Sequence, residues 1–101
     1  MTDEVLFSQE GQVGVITLNR PKALNALTLP MILALYEQLQ TWRHQPDIGA
    51  VVIRAVPGTA FCAGGDVRWL YQQGKAHPEQ ALSFFWHEYR LNHLIHHLGK
   101  P

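Results

Sequence analysis

The sequence predicts an α/β fold from three observations. Two short β-branched runs are separated by a glycine turn. An amphipathic helix opens on Thr28 and Pro30. A compact apolar run, Gly49-Ala50-Val51-Val52-Ile53-Arg54-Ala55, then stands before a second helical region. The order strand, strand, helix, strand, helix, helix calls for a right-handed crossover between the second and third strands.

Val5-Leu6-Phe7 reads as the first strand and Val13-Gly14-Val15-Ile16-Thr17-Leu18 as the second, with Gly11 in the turn between them. Asn19-Arg20-Pro21 ends the hairpin, because proline cannot continue a central ladder. Thr28 is placed to cap the next helix and Pro30 to occupy its first turn. Leu29, Ile32, Leu35, Tyr36, Leu39 and Trp42 give it an apolar face, with Gln38, Gln40 and Arg43 on the wet side. Pro46-Asp47 breaks it, and the run at 49–55 suits a strand buried on both faces.

Further along, Val67-Arg68-Trp69-Leu70-Tyr71 reads as a short helix stopping near Gly74. Pro78 and Glu79 open a longer helix with Leu82, Phe85, Tyr89, Leu91, Leu94, Ile95 and Leu98 along it, closing at Gly99. Three strands fall short of a usual sheet, and Lys100-Pro101 follows a helix with nothing after it. The expectation is a single domain over 1–101 whose sheet is unfinished.

Composition sets outer limits. A chain of 101 residues with 47% hydrophobic and 16% charged residues is globular in character. At that size it buries roughly 60–70% of its unfolded surface. Eight basic and eight acidic residues leave a formal net charge of zero, with no basic stripe for nucleic acid. Cys62 is the single cysteine, which fits a reducing compartment. The acidic start Met1-Thr2-Asp3-Glu4 resembles neither a secretory signal nor a transit peptide. No run approaches the ~18 apolar residues of a membrane span. A cytoplasmic location is expected.

The stretch most suggestive of chemistry is Ala60-Phe61-Cys62-Ala63-Gly64-Gly65-Asp66, between a strand and a helix. Adjacent glycines bring bare peptide N–H groups close to a ligand, and a helix N-terminus beyond them favours negative charge. Those are the requirements of an oxyanion hole; a plain turn satisfies the same local pattern.

Val15-Ile16-Thr17-Leu18-Asn19-Arg20-Pro21-Lys22-Ala23-Leu24-Asn25-Ala26-Leu27, followed by Ala60 through Asp66, resembles the crotonase (enoyl-CoA hydratase/isomerase) superfamily. Phe84-Phe85-Trp86-His87-Glu88-Tyr89-Arg90-Leu91-Asn92 and the Gly-Gly-Asp turn resemble its 3-hydroxyisobutyryl-CoA hydrolase branch. The resemblance covers essentially the whole chain, matched to the N-terminal part of longer proteins. It implies a spiral of ββα units, here incomplete, and an acyl-CoA thioester substrate that brings coenzyme A with it and needs no further cofactor.

By that resemblance the Gly65 N–H is an oxyanion donor, Gly64 permits close approach, and Asp66 supports the turn and caps the helix. Lys22-Ala23-Leu24 matches the loop along the CoA moiety, with Lys22 near a phosphate; an exposed loop lysine is the other reading. Glu88 matches a glutamate of the acyl pocket, or else it is an ordinary helix carboxylate. The second oxyanion donor, the catalytic glutamate and its aspartate partner are expected beyond Pro101. The implied reaction is hydrolysis of a short branched 3-hydroxyacyl-CoA in valine breakdown. The alternatives are an enoyl-CoA hydratase or isomerase, and a non-catalytic CoA-binding chain. Partners are then the acyl-CoA and either a missing C-terminal half or a homo-oligomer.

Other constellations are weaker. His93 and His97 stand at i, i+4 and give an incomplete metal pair, so they read as surface residues beside His87 and His96. His87-Glu88 begins like a zincin motif but lacks the second histidine. No metal is expected. Cys62 lies among apolar neighbours and reads as a buried, inert thiol. Trp42, Trp69 and Trp86 read as core or interface.

Overall fold

The computed structural model describes residues 4–58, 61, 62, 64 and 78–101. Strand β1 runs Val5–Glu10 and β2 runs Val13–Leu18, paired antiparallel with Val5 opposite Leu18 and Glu10 opposite Val13. The hairpin is therefore as expected, with β1 three residues longer than the apolar pattern alone marks. Strand β3, Ala50–Ala55, lies parallel to β2 and completes the order β1-β2-β3.

Between β2 and β3 the chain makes a 3-10 turn, Pro21–Ala23, and then helix α1, Leu29–Arg43. The Thr28 hydroxyl accepts from the Met31 amide at 3.4 Å, satisfying one of the free donors of the first turn. At the other end the Lys100 ammonium donates to the carbonyls of Trp42 and Gln45, each at 2.7 Å. A cation there adds a charged donor to carbonyls that already accept the Gln45 and Ile48 amides, and it meets the negative end of the helix dipole. Helix α2 spans Pro78–His96 and packs on α1.

One face of the sheet meets the helices. Register places Val5, Ile16, Leu18 and Ile53 on that face with Met31, Ile32, Leu35, Leu39 and Trp42 of α1 and Phe84, Leu91 and Leu94 of α2. Gly14 lets the indole approach the sheet: a Cβ there would sit 2.7 Å from the Trp42 ring. Phe7 meets the same indole edge-on at 6.3 Å.

Two expectations need correction. Strand β3 is not buried on both faces, because Val52 and Arg54 point away from the helices and are exposed. Arg54 instead donates from Nε to the Thr17 hydroxyl across the pair, at 3.2 Å. On α2, the apolar residues Leu82, Phe85, Tyr89 and Ile95 are exposed, and Phe84, Leu91 and Leu94 are buried, as is Leu98 just beyond the helix end. The helix carries two apolar stripes at helical spacing, and α1 covers only one of them. Trp86 lies on the uncovered side. The short helix expected at 67–71, with Trp69, lies outside the described residues.

Candidate functional site

The loop that follows β2 is built around two residues, Arg20 and Asn25. The Asn25 side chain is fully buried, and its Oδ1 accepts from the Arg20 amide at 2.7 Å. The Asn25 amide returns a bond to the Arg20 carbonyl at 2.9 Å. The Arg20 guanidinium donates from Nη1 to the Ala26 carbonyl at 2.9 Å and pairs through Nε with Glu4 at 3.0 Å. These bonds hold Leu24 and Asn25 at φ 53° and 55°. Left-handed backbone in residues with a Cβ costs energy, and it persists only where surroundings over-determine it.

That shape brings the loop against the glycine turn. The Leu27 amide donates to the Gly64 carbonyl at 2.6 Å. The Cys62 thiol donates to the Asn25 carbonyl at 3.3 Å, and the Gly64 amide points to the same sulfur at 3.4 Å. Cys62 is half-buried and packs against the core, so its role in the fold is to link the two segments. Gly64 adopts φ +90°, a conformation in which a side chain would be strained.

The residues named from the sequence are placed as follows. Lys22 is exposed, Ala23 is half-buried in the 3-10 turn, and Leu24 is exposed at its end. This segment and Gly64 are brought to one junction. Gly65 and Asp66 lie outside the described residues. Glu88 is half-buried on α2, one helical turn from both Phe84 and Leu91 of the core, and so flanks the buried stripe. Asn25 and Arg20 were part of the quoted motif, and no role was read for them. The available signal was an asparagine, tolerant of left-handed backbone, next to an arginine–proline loop.

A concavity of about 560 Å³ opens between α1 and α2 and is lined by none of those residues. Arg90 stacks there over Tyr36 at 4.0 Å and over Trp86 at 4.6 Å. Arg90 and Gln40 both hydrogen-bond the Tyr36 phenol and hold it below its ordinary pKa. His93 and His97 stack at 4.2 Å. Among the described residues no group of three or more His, Cys, Asp or Glu is placed to hold a metal ion. No described helix is long and apolar enough to cross a membrane.

Residues 13–101 match the model of the enoyl-CoA hydratase/isomerase family. The chain belongs to that family. It is 51% identical over 98 residues to the mitochondrial 3-hydroxyisobutyryl-CoA hydrolase of Xenopus tropicalis, covering 97% of this chain and 26% of that protein. The human protein of the same name is 48% identical over 99 residues, covering 98% of this chain and 26% of its own length. This enoyl-CoA hydratase/isomerase family chain thus spans about a quarter of the relatives it matches. Among solved structures, a carnitinyl-CoA dehydratase from Mycobacterium thermoresistibile superposes with a TM-score of 0.93 at 41% identity, over 99% of this chain and 29% of that one. An enoyl-CoA hydratase from Rhodobacter sphaeroides gives 0.90 at 40% identity, over 98% and 30%. The fold is crotonase-like, and the family chain carries the N-terminal part of it.

Proposed function

We propose that this chain forms the thioester-binding half of an acyl-CoA site of the 3-hydroxyisobutyryl-CoA hydrolase type. The observation that carries the reading is the junction of residues 20–27 with the glycine turn, closed by the Leu27–Gly64 hydrogen bond. It puts the segment assigned to CoA beside the turn assigned to the thioester oxygen. In this reading Lys22, Ala23 and Leu24 run along the CoA moiety. The Gly65 N–H receives the thioester oxygen, with Gly64 and Asp66 shaping the turn. Glu88 meets the substrate hydroxyl. An oxyanion donor in a water-excluded site contributes roughly 3–4 kcal/mol to lowering the barrier.

These residues bind and polarise; no general base is assigned among them, and binding without a base leaves hydrolysis slow. Relatives named 3-hydroxyisobutyryl-CoA hydrolase favour a hydrolase acting on a 3-hydroxyacyl thioester, and the resemblance extends the proposal to valine breakdown. The matched structures, a carnitinyl-CoA dehydratase and an enoyl-CoA hydratase, favour the alternative, an enoyl-CoA hydratase or isomerase. A non-catalytic CoA-binding chain is the third reading. The proposed location is the cytoplasm and the proposed partner is the acyl-CoA itself, with coenzyme A entering as part of the substrate.

The test is calorimetric titration of the chain with 3-hydroxyisobutyryl-CoA, crotonyl-CoA and free CoA, followed by an assay of thiol release. Tighter binding of the 3-hydroxyacyl thioester than of the other two, weakened by Glu88→Gln, is the expected result. Equal affinity for all three ligands sinks the hydrolase reading, and no binding of any sinks the site.

A further inference from the structure

We propose that the groove between α1 and α2 binds a small aromatic carboxylate, with Arg90 gripping the charged group. The groove shares no residue with the junction of residues 20–27 and Gly64, so the inference does not rest on the acyl-CoA reading.

The first observation is an arginine held ready. The Arg90 guanidinium lies 4.0 Å from the centre of the Tyr36 ring and 4.6 Å from that of Trp86. Ring contacts use the faces of a guanidinium and leave its N–H edges for a planar acceptor with two oxygens. Arg90 is half-buried in the wall of the groove. Ordering the side chain before a ligand arrives removes part of the entropic cost of binding.

The second is positive charge without a counter-charge. Arg43, in the last turn of α1, lines the same groove, and among the described residues no aspartate or glutamate does. Neither arginine pairs with a carboxylate among those residues. The Tyr36 phenol reports the resulting field. Hydrogen bonds from Arg90 and Gln40, and after them the charges of Arg90 and Arg43, hold its pKa below the ordinary value. Surroundings that favour a phenolate favour another oxyanion placed beside it.

The third is the wall that α2 contributes. Trp86, Tyr89, His93 and His97 recur at helical spacing along it, His97 just past the helix end. His93 and His97 stack at 4.2 Å, and Trp86 and Tyr89 are 57% and 71% exposed, so their rings are open to a ligand. Aromatic faces suit a flat apolar body. A volume of about 560 Å³ lies within the range of about 300–1,000 Å³ for small-molecule sites, and it exceeds what an inorganic ion fills. An aryl carboxylate meets both demands in one rigid molecule, because its charged group can lie in the plane of its ring.

The test is an NMR titration of the isotope-labelled chain with 2-naphthoate, and in parallel with its neutral isostere 2-naphthamide. Saturable shifts at the Trp86 indole N–H and at the Tyr89 and Arg90 amides are expected. The amide should bind at least about tenfold more weakly than the acid. Arg90→Lys keeps the charge but loses the fork, and should weaken 2-naphthoate about tenfold. Should that variant fail to fold by circular dichroism, the exposed Arg43 is tested instead, and Arg43→Gln should weaken binding about twofold to fivefold. Equal affinity for acid and amide overturns the proposal. So do shifts centred outside the groove, unchanged affinity in the folded variant, or no saturable binding at millimolar ligand. Excess CoA should leave 2-naphthoate in place; its displacement would give the groove to CoA and overturn the proposal as well.

Discussion

The Leu27 amide and the Gly64 carbonyl meet at 2.6 Å and join two segments that a helix and a strand separate in the chain. Around that bond the Cys62 sulfur bridges the Asn25 carbonyl and the Gly64 amide. Removing the thiol should therefore loosen the junction without opening the core. Cys62→Ala is expected to cost about 1 kcal/mol, the worth of one modest, partly buried hydrogen bond. Urea unfolding of both proteins measures it, and a stabilised variant would contradict the linking role.

Leu24 is the strained member of the left-handed pair that can be relieved most cheaply, since its side chain is exposed. Relief of the Cβ clash offsets the extra unfolded-state entropy of glycine. Leu24→Gly should leave stability unchanged or raise it by up to about 1 kcal/mol. A loss larger than that in thermal unfolding would show that Leu24 packs rather than strains.

Gly14 faces the opposite problem, one of space. A methyl group placed 2.7 Å from the Trp42 ring must push the indole away from the sheet. Gly14→Ala is expected to destabilise by about 1–3 kcal/mol, the usual cost of overpacking. Combined with Trp42→Leu the two losses should be less than additive, which a double-mutant cycle in urea will read.

Lys100 closes α1 from the far end of the chain through two bonds of 2.7 Å. Replacing the ammonium by the methyl of Lys100→Met leaves the Trp42 and Gln45 carbonyls without that donor. A loss of about 1.5–3 kcal/mol is expected, the range for hydrogen bonds to charged groups. Faster exchange confined to the last turn of α1 is the accompanying signature, and unchanged exchange there would refute the cap.

Asp47 supplies a pH dependence. Hydrogen bonds from Gln9, at 3.2 Å, and from Gln45 hold its carboxyl below the ordinary carboxylate pKa. A group depressed on folding stabilises the folded form above its unfolded pKa, and that contribution is lost as pH falls through the folded value. The melting temperature should therefore fall on acidification below about pH 4. Gln9→Ala should flatten that limb while leaving the neutral-pH slope alone; an unchanged acid limb would exclude Asp47 as its source.

Much of this architecture was readable before any coordinates. A β-branched apolar run marks β2, and Thr28 with Pro30 marks the start of α1, because strand propensity, capping and proline geometry are local properties. The glycine turn and the asparagine–arginine–proline loop were legible as motifs for the same reason. The phase of α2 was not. Its two stripes satisfy helical spacing equally, and burial of Phe84 and Leu91 over Phe85 and Tyr89 is settled by where α1 lies. Strand β3 misled in a related way, since a run of apolar residues says nothing of which face a helix will cover.

The sequence by itself determined the class of fold, the order of its elements and the two segments of the candidate site. Each of these follows from neighbours within a few residues, where backbone sterics and side-chain spacing act directly. Only the tertiary structure decided that Asn25 is buried, that Leu27 grips Gly64, and that Lys100 returns to cap α1. Those bonds join residues far apart in the chain, and their energy exists only after the hydrophobic core has brought the segments together.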